Sequence, residues 1–375
     1  MSDLEAALRP YVESGQLPGL VALAAHGDDV RTVVLGDQAL GGPPMRRDSI
    51  FRAASITKPL TSALTMTLVQ DGVLALDQPV GDLVPELASP RVLATPTGAL
   101  DDTVACERPI IVRHLLTHTA GLGFPAFESP VAEVLSDRLG QGAVGETAVP
   151  PAEEWVRRLA EVPLVHQPGD GWTYNLAYDV LGVVLARAAG RDLPTLMAER
   201  VLDPLGMADT GFVVGDGDRD RFTTLYSPRA DGTLDVLDEP DGMFAVAPGL
   251  PSGAGGLVTT ADDQEAFYRM LLRGGDDVLD AESVRLVTTD HTTARQRDMA
   301  AFFLDGQGYG FGVGVDTEVR DPWHSPGRFG WIGGTGVAAY ADPQRDLVTV
   351  ILTQVSLSGP QAAGVFEALW QAAVT

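Results

Sequence analysis

The order of apolar and polar positions predicts strands at both ends of the chain and helices between them. Residues 20–26 and 30–35 are apolar runs joined by Gly-Asp-Asp, a pattern typical of a β-hairpin. Near the other end, apolar runs predict further strands at 310–315, 336–341 and 347–354. Periodicity and end signals predict helices at 4–14, 110–122, 155–162, 178–189, 193–201, 261–272 and 361–373.

This order predicts an α/β fold of the α+β type, in which strands from both termini form one antiparallel sheet flanked by helices. We expect a discontinuous sheet domain from residues 1–60 and 250–375, and an inserted, mainly helical domain from residues 61–249. The active site would lie at their interface. Residues 124–151 are rich in glycine and proline, which predicts a loop at the edge of a substrate cleft, and residues 212–237 could form a hairpin.

Composition narrows the range of partners and locations. The formal net charge of −25 argues against nucleic acid and anionic membranes as partners, because both attract basic surfaces. The first residues lack the features of a signal peptide, and no apolar stretch reaches the length of about 18 residues that a membrane span needs. We therefore expect a soluble, cytoplasmic protein. The single cysteine, Cys106, cannot form an internal disulfide and is expected to be a packed thiol.

One lysine occurs among the 26 lysine and arginine residues, and this Lys58 follows Ser55 by three positions. The apolar positions Leu60, Leu64 and Leu68 predict a helix that begins near Ser55, on which residues three apart face each other. A buried lysine can lose its proton and act as a base, whereas arginine cannot. Ser-x-x-Lys is a signature of a nucleophile and its base. The alternative is a surface lysine that has this spacing by chance.

Two further segments could complete such a site. A Pro-Gly turn delivers Tyr174 just ahead of a predicted helix, and a tyrosine near a lysine cation would have a lowered pKa and could shuttle protons. Residues 329–336 read Phe-Gly-Trp-Ile-Gly-Gly-Thr-Gly, and such glycines would expose backbone N–H groups to an oxyanion. Taken alone, Tyr174 could be an ordinary packed tyrosine and residues 329–336 a glycine-rich turn.

His114 and His118 are four residues apart, a spacing that could ligate zinc. However, the glutamate of the His-Glu-x-x-His motif is missing and no third ligand is apparent. Packing and hydrogen bonding are therefore the preferred interpretation of this pair. We expect neither a metal nor another cofactor.

Together with these candidate residues, three segments resemble the serine β-lactamase superfamily, which also contains penicillin-binding proteins. They are residues 51–58 (Phe-Arg-Ala-Ala-Ser-Ile-Thr-Lys), 113–122 (Arg-His-Leu-Leu-Thr-His-Thr-Ala-Gly-Leu) and 252–263 (Ser-Gly-Ala-Gly-Gly-Leu-Val-Thr-Thr-Ala-Asp-Asp). Within the superfamily the chain is most similar to the esterases related to class C β-lactamases, the family VIII carboxylesterases. The resemblance covers most of the chain.

The resemblance implies a role for each candidate residue. Ser55 would be the acylated nucleophile, Lys58 its base partner, and Tyr174 the tyrosine of a Tyr-x-Asn motif. The backbone N–H groups of Ser55 and Gly334 would form the oxyanion hole.

Two departures from the superfamily pattern change the expected substrate. The motif asparagine usually stands two residues after the tyrosine, where this chain has Leu176, and the asparagine here is Asn175. Where β-lactamases carry Lys-Thr-Gly, the chain has Trp-Ile-Gly at 331–333, the esterase-like variant. An indole offers an apolar wall in place of an ammonium that would pair with a substrate carboxylate. Arg328 is a nearby cation that could substitute for that ammonium.

We therefore predict a serine hydrolase that cleaves carboxylic esters of small molecules through an acyl-enzyme on Ser55. Trp331, Gly333, Asn175 and Phe124 are expected to contact the substrate. The alternatives are hydrolysis of β-lactams or amides, acyl transfer by the same serine, and a ligand-binding relative that is acylated without turnover.

Overall fold

The structure, a computed structural model, describes residues 3–140, 149–357 and 364–375. Their strands are β1 (Gly19–His26), β2 (Asp29–Gly36), β3 (Phe51–Arg52), β4 (Arg91–Leu93), β5 (Thr103–Ala105), β6 (Leu225–Pro228), β7 (Leu234–Asp238), β8 (Val258–Thr259), β9 (Gly308–Tyr309), β10 (Gly314–Val315), β11 (Phe329–Gly333), β12 (Val337–Asp342) and β13 (Leu347–Thr353). Seven of them form one antiparallel sheet in the order β2-β1-β13-β12-β11-β10-β9. The others pair as β3 with β8, β4 with β5 and β6 with β7.

The helices surround this sheet and fill the middle of the chain. Within the described ranges they are α1 (Asp3–Glu13), α2 (Thr57–Gln70), α3 (Val112–Leu116), α4 (Pro130–Leu139), α5 (Ala152–Leu159), α6 (Leu176–Ala189), α7 (Leu193–Met197), α8 (Asp203–Leu205), α9 (Ala261–Leu272), α10 (Ala281–Thr288), α11 (Ala294–Met299), α12 (Ala301–Leu304) and α13 (Gly364–Val374).

The centre of the sheet is buried on both faces, which explains why its strands are continuous apolar runs in the sequence. Successive residues of β1, such as Leu20 and Val21, point to opposite faces and join two different hydrophobic clusters. Helices α1 and α13 cover one face, and α9 packs on the other with Phe267. β1 pairs along its length with β13, so both ends of the chain share one sheet, as predicted.

Several elements confirm the sequence predictions closely. The β1–β2 hairpin, β12, β13, α1, α6 and α9 lie within about two residues of their expected limits, and β6 and β7 form the predicted second hairpin. The part of the last helix that was expected before Gly364 lies outside the described residues. The proposed domain limits stay a prediction.

The prediction of a continuous strand at 310–315 is wrong. Two short strands, β9 and β10, flank a turn in which Gly312 has a φ of 81°. A Cβ at Gly312 would lie 2.8 Å from the Lys58 carbonyl oxygen and 2.7 Å from Ser62 Oγ. The chain breaks its strand here because it turns tightly against α2.

Two predictions in the helical region are also wrong. The helix expected at 110–122 is limited to α3, because the chain leaves the helix at Thr117 and His118 adopts a left-handed φ of 59°. Of the loop expected at 124–151, residues 141–148 lie outside the described residues, and the described part contains α4, which is capped by Ser129 and ends at Gly140 in a left-handed conformation. The many glycines and prolines around α4 favoured the prediction of a loop over that of a helix.

Candidate active site

Ser55 lies in a short 3₁₀ turn, Ala54–Ile56, between β3 and α2. Ala54 has a φ of 43°, a left-handed value that turns the chain sharply from the strand into the helix. Ser55 is half-buried, whereas Lys58, one turn later, is completely buried. The turn therefore leaves the serine accessible and places the lysine beneath it.

Three acceptors surround the Lys58 ammonium. Its Nζ donates to Ser55 Oγ at 2.9 Å, to Asn175 Oδ1 at 2.9 Å and to the Ala254 carbonyl at 2.7 Å. Burial lowers the pKa of Lys58 from 10.5 to about 7, and the charge of Asp179 opposes this shift. A large fraction of Lys58 is therefore neutral near neutral pH, as a base for Ser55 needs to be.

Tyr174 stands beside this pair. Its hydroxyl hydrogen-bonds with Ser55 and accepts a hydrogen bond from Trp331 Nε1 at 2.6 Å. The expected lowering of the Tyr174 pKa is wrong, because burial raises it to about 12, more than these hydrogen bonds lower it. Lys58 Nζ lies 4.5 Å from the centre of the Tyr174 ring, so the lysine meets the face of the ring.

Trp331 lies on β11, where successive residues point to opposite faces of the sheet. Trp331 is buried in the cluster that contains α2, and its indole N–H is directed at Tyr174. Arg328 lies on the other face, with its guanidinium 4.0 Å from the centre of the Tyr340 ring and beneath α13. Arg328 therefore does not replace an ammonium at the position of Trp331.

The end of β11 lies against the serine turn. A Cβ on Gly333 would come within 2.7 Å of the Ala53 carbonyl oxygen and 3.3 Å of Ala54 Cβ, so a side chain would push the turn away. Gly334 follows, and its N–H donates no hydrogen bond to the residues that the structure describes. This amide therefore lies next to the serine turn and is available to a ligand.

Asn175 and Phe124, the other two residues predicted to contact the substrate, lie next to Lys58 and Tyr174. Asn175 has a φ of 84° and directs its Oδ1 at Lys58, so it takes a place next to the lysine despite its displaced position in the motif. Phe124 exchanges two backbone hydrogen bonds of 2.8 Å with Tyr174, which fix the segment that carries the tyrosine. Contact of Asn175 or Phe124 with a substrate stays a prediction.

Comparison with known proteins shows the family of the chain. The sequence profile of a family described as Beta-lactamase matches residues 4–374. The chain belongs to the beta-lactamase family.

Relatives within the family include Protein Rv1367c of Mycobacterium tuberculosis, 38% identical over 93% of this chain and 89% of that protein. Esterase EstB of Burkholderia gladioli is 33% identical over 98% of this chain and 94% of that protein. Among solved structures, "EstCE1, a hydrolase with promiscuous acyltransferase activity" has a TM-score of 0.84 and 28% identity over 100% of this chain and 98% of that chain. The protein is a serine hydrolase with a β-lactamase-like fold.

None of the helices in the described ranges is long and apolar enough to cross a membrane.

The two histidines of the 113–122 segment do not share a helix in this member of the family. His114 Nδ1 accepts a hydrogen bond from the Ile111 N–H, whereas His118 is surrounded by aromatic rings, including those of Trp172 and Tyr309. Burial lowers the pKa of His118 well below its ordinary value, so its ring is neutral. In the part of the chain that the structure describes, no cluster of three His, Cys, Asp or Glu side chains could hold a metal ion.

Sequence reasoning missed two residues around the site. Asp179 is buried on α6 and accepts hydrogen bonds from Ser252 Oγ and the Ala254 N–H. Phe303 of α12 stacks on Tyr174, with ring centres 4.7 Å apart. A signal for Asp179 was present, because it is the single acidic residue in the otherwise apolar first half of α6. Phe303 had no such signal.

Proposed function

We propose that this protein hydrolyses carboxylic esters of small molecules through an acyl-enzyme on Ser55. The observation that carries the proposal is the hydrogen bond of 2.9 Å between Ser55 Oγ and a buried lysine whose pKa is about 7. A neutral amine at this distance can accept the serine proton as the hydroxyl attacks.

The first half of the reaction forms the acyl-enzyme. Lys58 takes the proton of Ser55, whose Oγ forms a bond to the ester carbonyl carbon. The oxyanion accepts hydrogen bonds from the N–H groups of Ser55 and Gly334. When the tetrahedral intermediate collapses, the bond to the alcohol oxygen breaks, and that oxygen takes a proton from Lys58 directly or through Tyr174.

The second half releases the acid. Water gives a proton to the neutral Lys58 and attacks the acyl carbon, and the Ser55 oxygen leaves with the proton that Lys58 returns. Because the pKa of Tyr174 is raised to about 12, the tyrosine acts as a neutral hydrogen-bond donor and proton relay rather than as a phenolate.

Neutral esters fit the site better than β-lactams or peptides that carry a carboxylate. Trp331 occupies the place of the β-lactamase lysine, and Arg328 packs on the other face of the sheet. Neither residue thus provides a cation for a substrate carboxylate in the site. The 33% identity with Esterase EstB favours the same substrate class.

Acyl transfer to an alcohol is a second candidate function, which the likeness to EstCE1 favours. In this reaction an alcohol replaces water in the second half and is deprotonated by the same Lys58. Hydrolysis in the presence of added alcohols, with analysis of both acid and ester products, would distinguish the two activities. A relative that is acylated without turnover would show a single burst of product, and β-lactam hydrolysis would be visible with nitrocefin.

The test is hydrolysis of p-nitrophenyl butyrate beside nitrocefin by the wild type, Ser55→Ala and Ser136→Ala. Ser136 lies exposed on α4 and serves as the control. We expect ester turnover in the wild type and Ser136→Ala, its loss in Ser55→Ala, and little cleavage of nitrocefin. A butyryl group on Ser55, detected by mass spectrometry of trapped enzyme, would identify the acyl-enzyme. Ester turnover that survives in Ser55→Ala would refute the proposal.

A further inference from the structure

Asp179 is a buried carboxylate that the reaction described above does not use. It is 1% exposed, in the first turn of α6. Its Oδ1 accepts a hydrogen bond from Ser252 Oγ and one of 3.2 Å from the Ala254 N–H. Ser252 Oγ in turn accepts a hydrogen bond of 3.1 Å from the Gly255 N–H. The carboxylate therefore fixes a tight turn formed by residues 252–255.

This turn holds Lys58. The peptide group that receives a hydrogen bond from Lys58 belongs to Ala254, at a distance of 2.7 Å from Nζ to the carbonyl oxygen. On its other side the same turn is tied to α2, because Thr61 Oγ1 donates to the Gly253 carbonyl at 2.8 Å. Any movement of the turn would move an acceptor of the lysine.

Asp179 also supplies the negative charge in the surroundings of Lys58. Of the other titratable groups that face the lysine, His118 is neutral because burial lowers its pKa, and Tyr174 is neutral because burial raises its pKa to about 12. Asn175, the residue immediately before α6, contributes a neutral amide oxygen. The charge of Asp179 raises the pKa of Lys58 against the larger effect of burial.

We propose that Asp179 is a positioning residue for Lys58: it anchors the 252–255 turn whose Ala254 carbonyl binds the lysine, and it places a buried negative charge at that turn. The catalytic consequence rests on the proposed function, in which Lys58 is the base. Without Asp179, burial would lower the pKa of Lys58 with no opposing charge. The Ala254 carbonyl, which accepts a hydrogen bond from Lys58, would no longer be held in place by the carboxylate.

The chain offers a direct measurement of this effect, because Lys58 is its only lysine. In protein labelled with ¹³C at the lysine ε-carbon, one side chain gives the lysine signal, and its chemical shift reports the protonation of Lys58 during a pH titration. No substrate is needed. The titration therefore remains informative even if Ser55 is never acylated and the proposed function fails.

The first variant is Asp179→Asn, which removes the charge and keeps the shape and an acceptor for Ser252. We expect the titration midpoint of Lys58 to fall by about one pH unit relative to the wild type. The acidic limb of kcat/KM for the ester should move to lower pH by the same amount. Asp263→Asn is the matched control, because Asp263 is a buried carboxylate held by Thr210 in another part of the molecule. In this variant the titration midpoint of Lys58 should equal that of the wild type.

The second variant is Ser252→Ala, which keeps the charge and removes one anchor of the turn. We expect the acylation rate measured in the first turnover to fall about tenfold, with a smaller change in KM. An unchanged acylation rate in Ser252→Ala would overturn the anchoring role. A Lys58 midpoint in Asp179→Asn that equals or exceeds the wild-type value would overturn the role of the charge, and it would do so even if activity fell.

Discussion

Burial gives Lys58 properties that an exposed lysine does not have. Its side chain is 0% exposed and its ammonium is held by a carbonyl, an amide oxygen and the Ser55 hydroxyl. Desolvation disfavours the charged form, and this effect exceeds the stabilisation by Asp179. The result is a residue that exchanges protons near neutral pH, which is the condition for general-base catalysis.

Lys58→Arg should remove most of the activity although it keeps a positive charge. A guanidinium remains protonated at every accessible pH and cannot accept the serine proton. We expect kcat/KM for p-nitrophenyl butyrate to fall by about three orders of magnitude. Thermal unfolding of the variant is the control for folding. An active Lys58→Arg enzyme would refute the assignment of the base.

The pH dependence of kcat/KM should follow the ionisation of Lys58. Because the neutral amine is the active form and its pKa is about 7, activity should be low in acid, rise through pH 7 and level off above it. Tyr174, with a pKa raised to about 12, should have no effect in this range. The measurement uses a neutral ester with a leaving group that does not titrate between about pH 5 and pH 9. A profile that is flat across neutral pH would contradict this assignment.

Trp331→Phe should reduce kcat more than it affects stability. The substitution keeps an aromatic ring in the buried position and removes the N–H that donates to Tyr174 at 2.6 Å. Without this donor the Tyr174 hydroxyl is held less precisely at Ser55, and we expect kcat to fall about tenfold. Trp323→Phe is the control, because Trp323 packs with the residues of the other face of the sheet. Equal kcat values for the two variants would contradict a role of the indole N–H.

At the scale of elements, the site depends on the contact between the serine turn and the end of β11. The turn has a left-handed residue, Ala54, and Gly333 fits against it without a side chain. Thr335 Oγ1 donates to the Arg52 carbonyl at 2.7 Å and strengthens the same contact. Two short elements thus fix the relative positions of Ser55 and the Gly334 N–H.

Gly333→Ala should impair catalysis by separating these elements. The added Cβ would lie 2.7 Å from the Ala53 carbonyl oxygen and 2.6 Å from Val337 Cγ2, so the turn or the strand has to move. We expect kcat/KM to fall about 100-fold, because a displacement of about 1 Å disturbs the donors of the oxyanion. Gly217→Ala is the control, since its Cβ meets no protein atom within 4 Å and Gly217 lies outside the site. Comparable losses in both variants would contradict the steric explanation.

At the scale of the whole molecule, distant segments meet around the residues that precede Ser55. Arg52 is 4% exposed, and its Nε donates to Asp238 Oδ2 at 2.7 Å, while its Nη1 donates to the Thr223 carbonyl at 2.6 Å. The guanidinium also lies 4.1 Å from the centre of the Phe222 ring. This buried pair joins the β6–β7 hairpin to the strand that leads into the serine turn.

Asp238→Ala should destabilise the fold strongly. It leaves the Arg52 guanidinium buried without its carboxylate, and we expect the free energy of unfolding in urea to fall by about 3 kcal/mol. Asp235→Ala is the matched control in the same hairpin, because Asp235 pairs with Arg229 at the surface and the side chains are 50% and 60% exposed. Loss of that exposed pair should change the free energy of unfolding much less, because water screens the two charges. A similar loss in both variants would contradict the distinction.

The sequence predicted those parts of the fold that depend on the order of neighbouring residues. The β1–β2 hairpin, α6 and α9 follow from apolar runs, periodicity and a Thr260 cap, which are properties of adjacent residues. It failed at Gly312 and His118, where the backbone conformation is imposed by neighbouring elements. It also predicted Ser55 and Lys58 as a pair, since one helical turn joins them.

Only the tertiary structure decided what surrounds this pair. Asn175 and Ala254 reach Lys58 from 117 and 196 positions along the chain, and Trp331 reaches Tyr174 across 157. No local pattern encodes such contacts, because they arise when the sheet brings its strands and helices together. The pKa values of Lys58 and Tyr174 follow from this packing, since desolvation is the largest cause of both shifts. The sequence thus determined which residues form the candidate pair, and folding decided what surrounds them and in which direction their pKa values shift.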